Sequence, residues 1–177
     1  MQTKPHYYYP VQPLPEKKTV QYDICIYGAT SAAITAAVQA ASMDKTVAVL
    51  AFNQAIGGMT TSGLGATDVG NQHVIGGLAR KFYREVGNFY GSEKEQWFFE
   101  PHVADKIFRN WLSHKNITLH TECRLSGVEK AGKKIISIQT EKGLIVKAQV
   151  FIDATYEGDL MAKAGLSYAI GRESNDT

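Results

Sequence analysis

The amino-acid sequence predicts an α/β fold: a parallel sheet with flanking helices, joined to a three-stranded antiparallel meander. Three observations predict it. Residues 22–50, YDICIYGATSAAITAAVQAASMDKTVAVL, read as an apolar strand, a tight turn of small residues, an alanine-rich helix and a second apolar strand, which is the order of a βαβ unit. From residue 125 to residue 150 the apolar period changes to two, with glycines at 132 and 143 where the chain must turn. Residues 150–155, VFIDAT, then return as an apolar strand to the main sheet.

The elements follow in order. Residues 1–20 read as an extended tail, because four of the five prolines stand at positions 5, 10, 13 and 15 and block both helix and ladder formation. The cluster Tyr7, Tyr8 and Tyr9 belongs to this arm. The first strand is expected over Tyr22–Tyr27, the first helix over Ser31–Ser42, and the second strand over Thr46–Phe52 after a turn at Asp44 and Lys45. The glycine-rich stretch 53–72 is long for a loop inside a compact domain, which marks it as functional or disordered. Two amphipathic helices follow. In the first, within 75–90, Leu78, Phe82, Tyr83 and Val86 share a face. In the second, within 100–115, Pro101 suits the first turn and Val103, Ile107, Phe108 and Trp111 form the apolar stripe. Residues 117–122 read as a third parallel strand, 157–166 as a short helix and 167–173 as the start of a further strand. One domain over 21–177 accounts for all of this.

Composition narrows the function classes. Apolar residues make up 44% of the 177, enough for a real core. A net charge of +2 gives no strongly basic face, which argues against a nucleic-acid partner. No apolar run reaches the ~18 residues of a membrane span. No leader is visible at Met1, so a cytoplasmic location is expected, with a periplasmic or secreted one if a leader has been removed. Cys25 and Cys123 read as small core residues of buried strands. No Cys/His spacing suits zinc and no metal-ligand set is present, so no metal is expected.

The turn Gly28, Ala29, Thr30, Ser31, Ala32, Ala33 occupies the slots of the G-x-G-x-x-G/A fingerprint between strand and helix, which makes the sheet Rossmann-like. Gly28 suits the sharp exit from the strand, and Ala33 is small enough for close helix–strand packing. The free N–H groups and positive dipole end of the helix aim at a pyrophosphate. Two departures stand out. Thr30 replaces the middle glycine. Ala51 ends the second strand where a carboxylate ordinarily binds ribose hydroxyls, and Asn53 or Gln54 are the neutral candidates to stand in for it.

Four segments carry a more specific signal: GGMTTSGLGATD (57–68), GGLARKFY (76–83), EPHVAD (100–105) and DATYEGDLMAKAG (153–165). With the element order, they resemble the bacterial FAD-dependent oxidoreductase family of two-dinucleotide-binding-domain flavoproteins, over about residues 21–173. The resemblance implies an FAD/NAD(P)-binding fold with FAD as cofactor and Gly28–Ala33 at its pyrophosphate. It implies close backbone approach to the cofactor at Gly57, Gly58 and Met59, and hydroxyl and amide donors near the flavin ring from Thr61, Ser62 and Gly63. Leu125 would meet adenine through backbone groups, and Ala154 and Thr155 would close against the cofactor. Glu157 and Asp159 are expected to cap the next helix. His73 and His102 are the weak acid–base candidates, and Arg80 is either a phosphate partner or a solvated helix residue. His6, His114 and His120 read as surface or tail. The implied activity of the parent protein is hydride transfer from a small, hydroxylated or sugar-like substrate to flavin. The chain is then an N-terminal part that is inactive alone, with self-association as a further expectation. Two alternatives stay open: an NAD-binding domain, and a cofactor-free interaction domain.

Overall fold

The computed structural model describes residue 13 and residues 16–172; the tyrosine cluster at 7–9 lies outside them. The order of elements is β1 (Lys18–Tyr27), α1 (Ser31–Ser42), β2 (Val47–Leu50), α2 (Gly77–Phe89), α3 (Pro101–Leu112), β3 (Ile117–His120), β4 (Leu125–Ala131), β5 (Lys134–Thr140), β6 (Leu144–Asp153) and α4 (Asp159–Lys163). Short 3₁₀ turns at Gly58–Thr61 and Gln72–Val74 break up the glycine-rich stretch.

All six strands form one mixed sheet in the order β3-β2-β1-β6-β5-β4. β1 lies parallel to both β2 and β6, and β3 parallel to β2; β4, β5 and β6 form the antiparallel meander. The alternation of side chains divides the core in two. On one face Ile26, Val47 and Val49 pack with Ala33, Ile34 and Ala37 of α1 and with Phe82, Val103, Phe108 and Trp111 of α2 and α3. On the other, Cys25, Tyr27, Ala48 and Leu50 meet Ile138, Leu144 and Val146 of the meander and Leu160 of α4. The predicted stripes of α2 and α3 are the buried ones.

Several boundaries differ from expectation. β1 begins at Lys18 rather than Tyr22, because Lys18–Tyr22 pair with Leu144–Ala148. The third meander strand and the returning strand VFIDAT are one continuous strand, β6, with β5 on one side of it and β1 on the other. The expected strand within 167–173 does not form over its described part, 167–172. Cys123 lies in the connection between β3 and β4, not in a strand. It is buried, as is Cys25, and both thiols are free. His120 is not on the surface; at the end of β3 it is half-buried, with Nε2 3.1 Å from the Tyr22 hydroxyl, and burial holds its pKa below the ordinary value.

Candidate functional site

The site grows from the carboxyl ends of β1, β2 and β6, where an open α/β sheet places its ligands. β1 ends at Tyr27 and the chain turns at Gly28 with φ +101°, a left-handed value that favours glycine. A Cβ there would also stand 2.8 Å from the Ala154 carbonyl, so Gly28 lets the β1 turn and the end of β6 pack backbone against backbone. The Ala154 amide donates to the Tyr27 carbonyl at 2.8 Å.

Thr30 fills the slot of the missing glycine and has a structural task. It is the N-cap of α1, its hydroxyl accepting from the Ala33 amide at 3.3 Å and donating to the Ala154 carbonyl at 2.8 Å. The hydroxyl is therefore spent within the protein, and Thr30 is buried. With Ala33 engaged by the cap, Ser31 and Ala32 carry the remaining first-turn amides of α1, and both line a pocket shared with Thr35, Phe82 and Tyr83.

The Gly57 amide donates to the Ala29 carbonyl at 2.6 Å, and Thr30 and Gly57 form a parallel bridge, so the glycine-rich stretch is fastened to the fingerprint turn. Gly57 and Gly58 have positive φ, +86° and +56°. A Cβ at Gly57 would meet Thr61 and Phe108, and one at Gly58 would meet the Tyr156 ring. These glycines thus also give close approach to the protein's own side chains. Across the cleft the Tyr156 hydroxyl accepts from the Met59 amide at 2.8 Å. The Thr61 hydroxyl donates to the Ile56 carbonyl and is not free for a ligand in this arrangement. Ser62 lines the cleft, while Gly63 faces open space.

The cleft so formed, about 200 Å³, runs between Gly28–Thr30 on one side and Ser62, Thr155 and Tyr156 on the other, with Phe52, Asn53 and Ala55 at its β2 end. Every residue lining it is uncharged. It offers amides and hydroxyls rather than lysines or arginines, which suits a pyrophosphate held by helix dipole and backbone N–H groups. Of the two stand-ins for the missing carboxylate, Asn53 turns its side-chain oxygen to the Ala55 amide at 2.8 Å. Ala51 itself is fully buried.

A second pocket of about 380 Å³ adjoins the cleft through Phe52, which lines both. Tyr27, Arg124, Leu125, Asp159 and Lys163 complete it. The Leu125 amide donates to the Tyr27 hydroxyl at 2.8 Å, so this N–H is already engaged. Burial pushes the Tyr27 phenol well above its usual range, and it stays protonated. The helix α4 behind the pocket is capped by residues other than those expected. Asp153 accepts from the Thr155 amide and hydroxyl and from the Met161 amide, and Thr155 accepts from the Asp159 amide. Glu157 and Asp159 cap nothing with their side chains, because Gly158 is the N-cap residue. The sequence "DAT" signals this role for Asp153, but only the fold brings Met161 to it.

The remaining candidates stand apart. His73 sits exposed on a 3₁₀ turn, and His102 rests edge-on against Phe89, 6.1 Å between ring centroids; neither lines the cleft. Arg80 binds the Ile75 and Gln72 carbonyls, tying the preceding loop to α2. Among the described residues no cluster of metal-ligating groups occurs, and no helix is long and apolar enough to cross a membrane.

The βαβ turn, the neutral cleft and the meander define a dinucleotide-binding domain of the flavoprotein type, and the residues present fit a pyrophosphate-linked cofactor. The family model for FAD dependent oxidoreductases matches residues 23–177, and the chain belongs to that family. Solved structures agree on the fold. The flavin-dependent brominase Bmp2 superposes with a TM-score of 0.61 at 16% identity, over 81% of this chain and 40% of that one. L-amino acid deaminase from Proteus vulgaris gives 0.58 at 14%, over 81% and 55%. A variant of E. coli quinol fumarate reductase FrdA gives 0.54 at 15%, over 78% and 33%. The chain thus spans from a third to about half of each of these proteins. Among curated proteins compared, none matches the chain.

Proposed function

We propose that this chain is the cofactor-holding part of an enzyme that moves a hydride from a small, hydroxylated substrate to flavin. The observation that carries the proposal is the uncharged cleft at the carboxyl end of β1, lined by the Gly28–Thr30 turn that leads into the N-terminus of α1. FAD, the cofactor of the family, supplies the two-electron acceptor when bound. The chain's residues would bind and orient it. Gly28–Ala33 take the pyrophosphate on the α1 dipole, Thr155 and Ala154 wall the opposite side, and the 57–63 turn sits toward the flavin end. That turn carries Met59, Ser62 and Gly63. The Met59 and Ser62 amides are engaged within the protein, so the donors this turn would offer are the Ser62 hydroxyl and the Gly63 amide, which tune flavin chemistry by meeting charge on the reduced ring.

The cleft contains no histidine or carboxylate. In this proposal the proton acceptor of the reaction therefore comes from outside it, and His73 and His102 are set aside. The share of the flavoenzymes that this chain spans supports a larger protein that brings the substrate site. The test is a visible absorption spectrum of the purified chain, taken before and after incubation with FAD and desalting. Retained flavin bands are expected. A folded protein that retains no flavin and does not quench flavin fluorescence would refute the proposal.

A further inference from the structure

We propose that Asp159 holds the adenosine ribose of FAD, its carboxylate accepting the 2′- and 3′-hydroxyls in place of the acid that is absent at position 51. This rests on the reading of the neighbouring cleft as the pyrophosphate site.

The inference comes from accounting for acceptors around the second pocket. A dinucleotide whose pyrophosphate sits at α1 extends its nucleoside toward the end of β2. There the pocket of about 380 Å³ opens past Phe52 and is walled by Leu125, the first residue of β4. Ala51 offers no side-chain acceptor. Asn53 has its oxygen on the Ala55 amide, and the Gln54 carbonyl takes the Arg109 guanidinium at 3.4 Å. Asp153 already accepts from three donors within the chain, two on Oδ1 and one on Oδ2. The Tyr27 hydroxyl already accepts from Leu125.

Asp159 is what remains. It is the one carboxylate among the residues lining the pocket. Its backbone amide is bound by Thr155, which fixes its position. Its carboxylate takes part in no hydrogen bond or ion pair among the described residues. Lys163, one turn on, and Arg124, which stands 4.0 Å from the Glu141 carboxylate, also line the pocket. A carboxylate only accepts, so the ligand face it selects must donate, and a vicinal diol presents two O–H donors to its two oxygens.

The test is FAD binding to the full chain in its apo form, followed by quenching of flavin fluorescence, with ADP, 2′-deoxy-ADP and inosine diphosphate as competitors. Asp159→Asn should weaken FAD and ADP by about tenfold or more, the effect of losing a charge-assisted hydrogen bond, whereas Glu157→Gln should leave both unchanged. 2′-Deoxy-ADP, which keeps only the 3′-hydroxyl, should bind the unaltered chain more weakly than ADP and lose less than ADP does on Asp159→Asn, while inosine diphosphate should follow ADP. Circular dichroism verifies the fold of each variant, and Asp159→Ala repeats the test should Asn retain a contact. Equal FAD affinity in both Asp159 variants would overturn the assignment and leave the cofactor reading standing. Discrimination against inosine diphosphate instead of the deoxy compound would move the contact to the adenine amine and overturn it as well. No FAD binding by the unaltered chain would remove both.

Discussion

Thr30→Val separates the structural task of the fingerprint turn from its binding task. Valine keeps the shape of threonine and removes the hydroxyl. Two partners lose it together: the Ala33 amide, whose cap distance is 3.3 Å, and the Ala154 carbonyl, at 2.8 Å. Loss of a threonine N-cap costs about 1 kcal/mol. Loss of a hydrogen bond that leaves a part-buried carbonyl unmatched costs about 1 kcal/mol more. The two share one side chain but serve different elements, α1 and the end of β6, so the sum is about 2 kcal/mol. For a chain of this size that lowers Tm by ~4–8 °C. Urea unfolding followed by circular dichroism gives the free energy directly, and Thr30→Ser, which keeps the hydroxyl, should recover most of it. A Thr30→Val protein within about 0.5 kcal/mol of the original, the spread of ordinary surface substitutions, would refute the view that this slot is occupied by threonine to join α1 to β6.

Four further outcomes are expected. Gly28→Ala puts a Cβ 2.8 Å from the Ala154 carbonyl at φ +101° and should cost more than about 2 kcal/mol or block folding, read by urea unfolding or soluble yield. Asp153→Asn weakens the anchoring of Thr155 and Met161, so hydrogen exchange at the Met161 amide should speed up before any change is seen in β1. Burial pushes the Cys25 thiol up to about 12 and Cys123 up to about 11, from an ordinary 9.0; the folded state therefore holds protons that the unfolded chain releases above pH 9. The resulting stability is complete below pH 9 and lost as pH rises toward 11–12, and a thiol reagent at pH 8 should react with neither cysteine until urea unfolds the chain. Tyr156→Phe removes the acceptor of the Met59 amide, and FAD should leave the variant faster in a stopped-flow chase, with little change in thermal stability.

Much of this architecture is legible in the sequence because it is local. The βαβ unit, the apolar stripes of α2 and α3 and the turns at Gly132 and Gly143 each announce themselves within a dozen residues. What sequence reading divided, the structure joins. Leu144–Ala148 alternates because this end of β6 lies beside the exposed start of β1. Phe151–Asp153 reads as a separate apolar strand because there the same β6 is partly covered on both faces, beside the buried Cys25–Tyr27 of β1. The start of β1 at Lys18 reads as tail because prolines 5, 10, 13 and 15 precede it, and its pairing partner lies more than a hundred residues on at Leu144–Ala148.

The site itself is less legible, because its residues are used by partners distant in the chain. A threonine in a glycine slot reads as a weakened fingerprint until its hydroxyl is found on Ala154, 124 residues away. Gly58 reads as room for a ligand until Tyr156 is found above it. Asp159 reads as a cap until Asp153 and Thr155 are found to have taken that role. In each case a motif names the residue type that a position demands, and the fold decides whether the protein or the ligand uses it. The consequence runs in both directions. The hydroxyls of Thr30 and Thr61 and the Gly57 amide each have a partner within the chain. Asp159 gains a claim on the cofactor because, among the described residues, nothing in the chain engages its carboxylate.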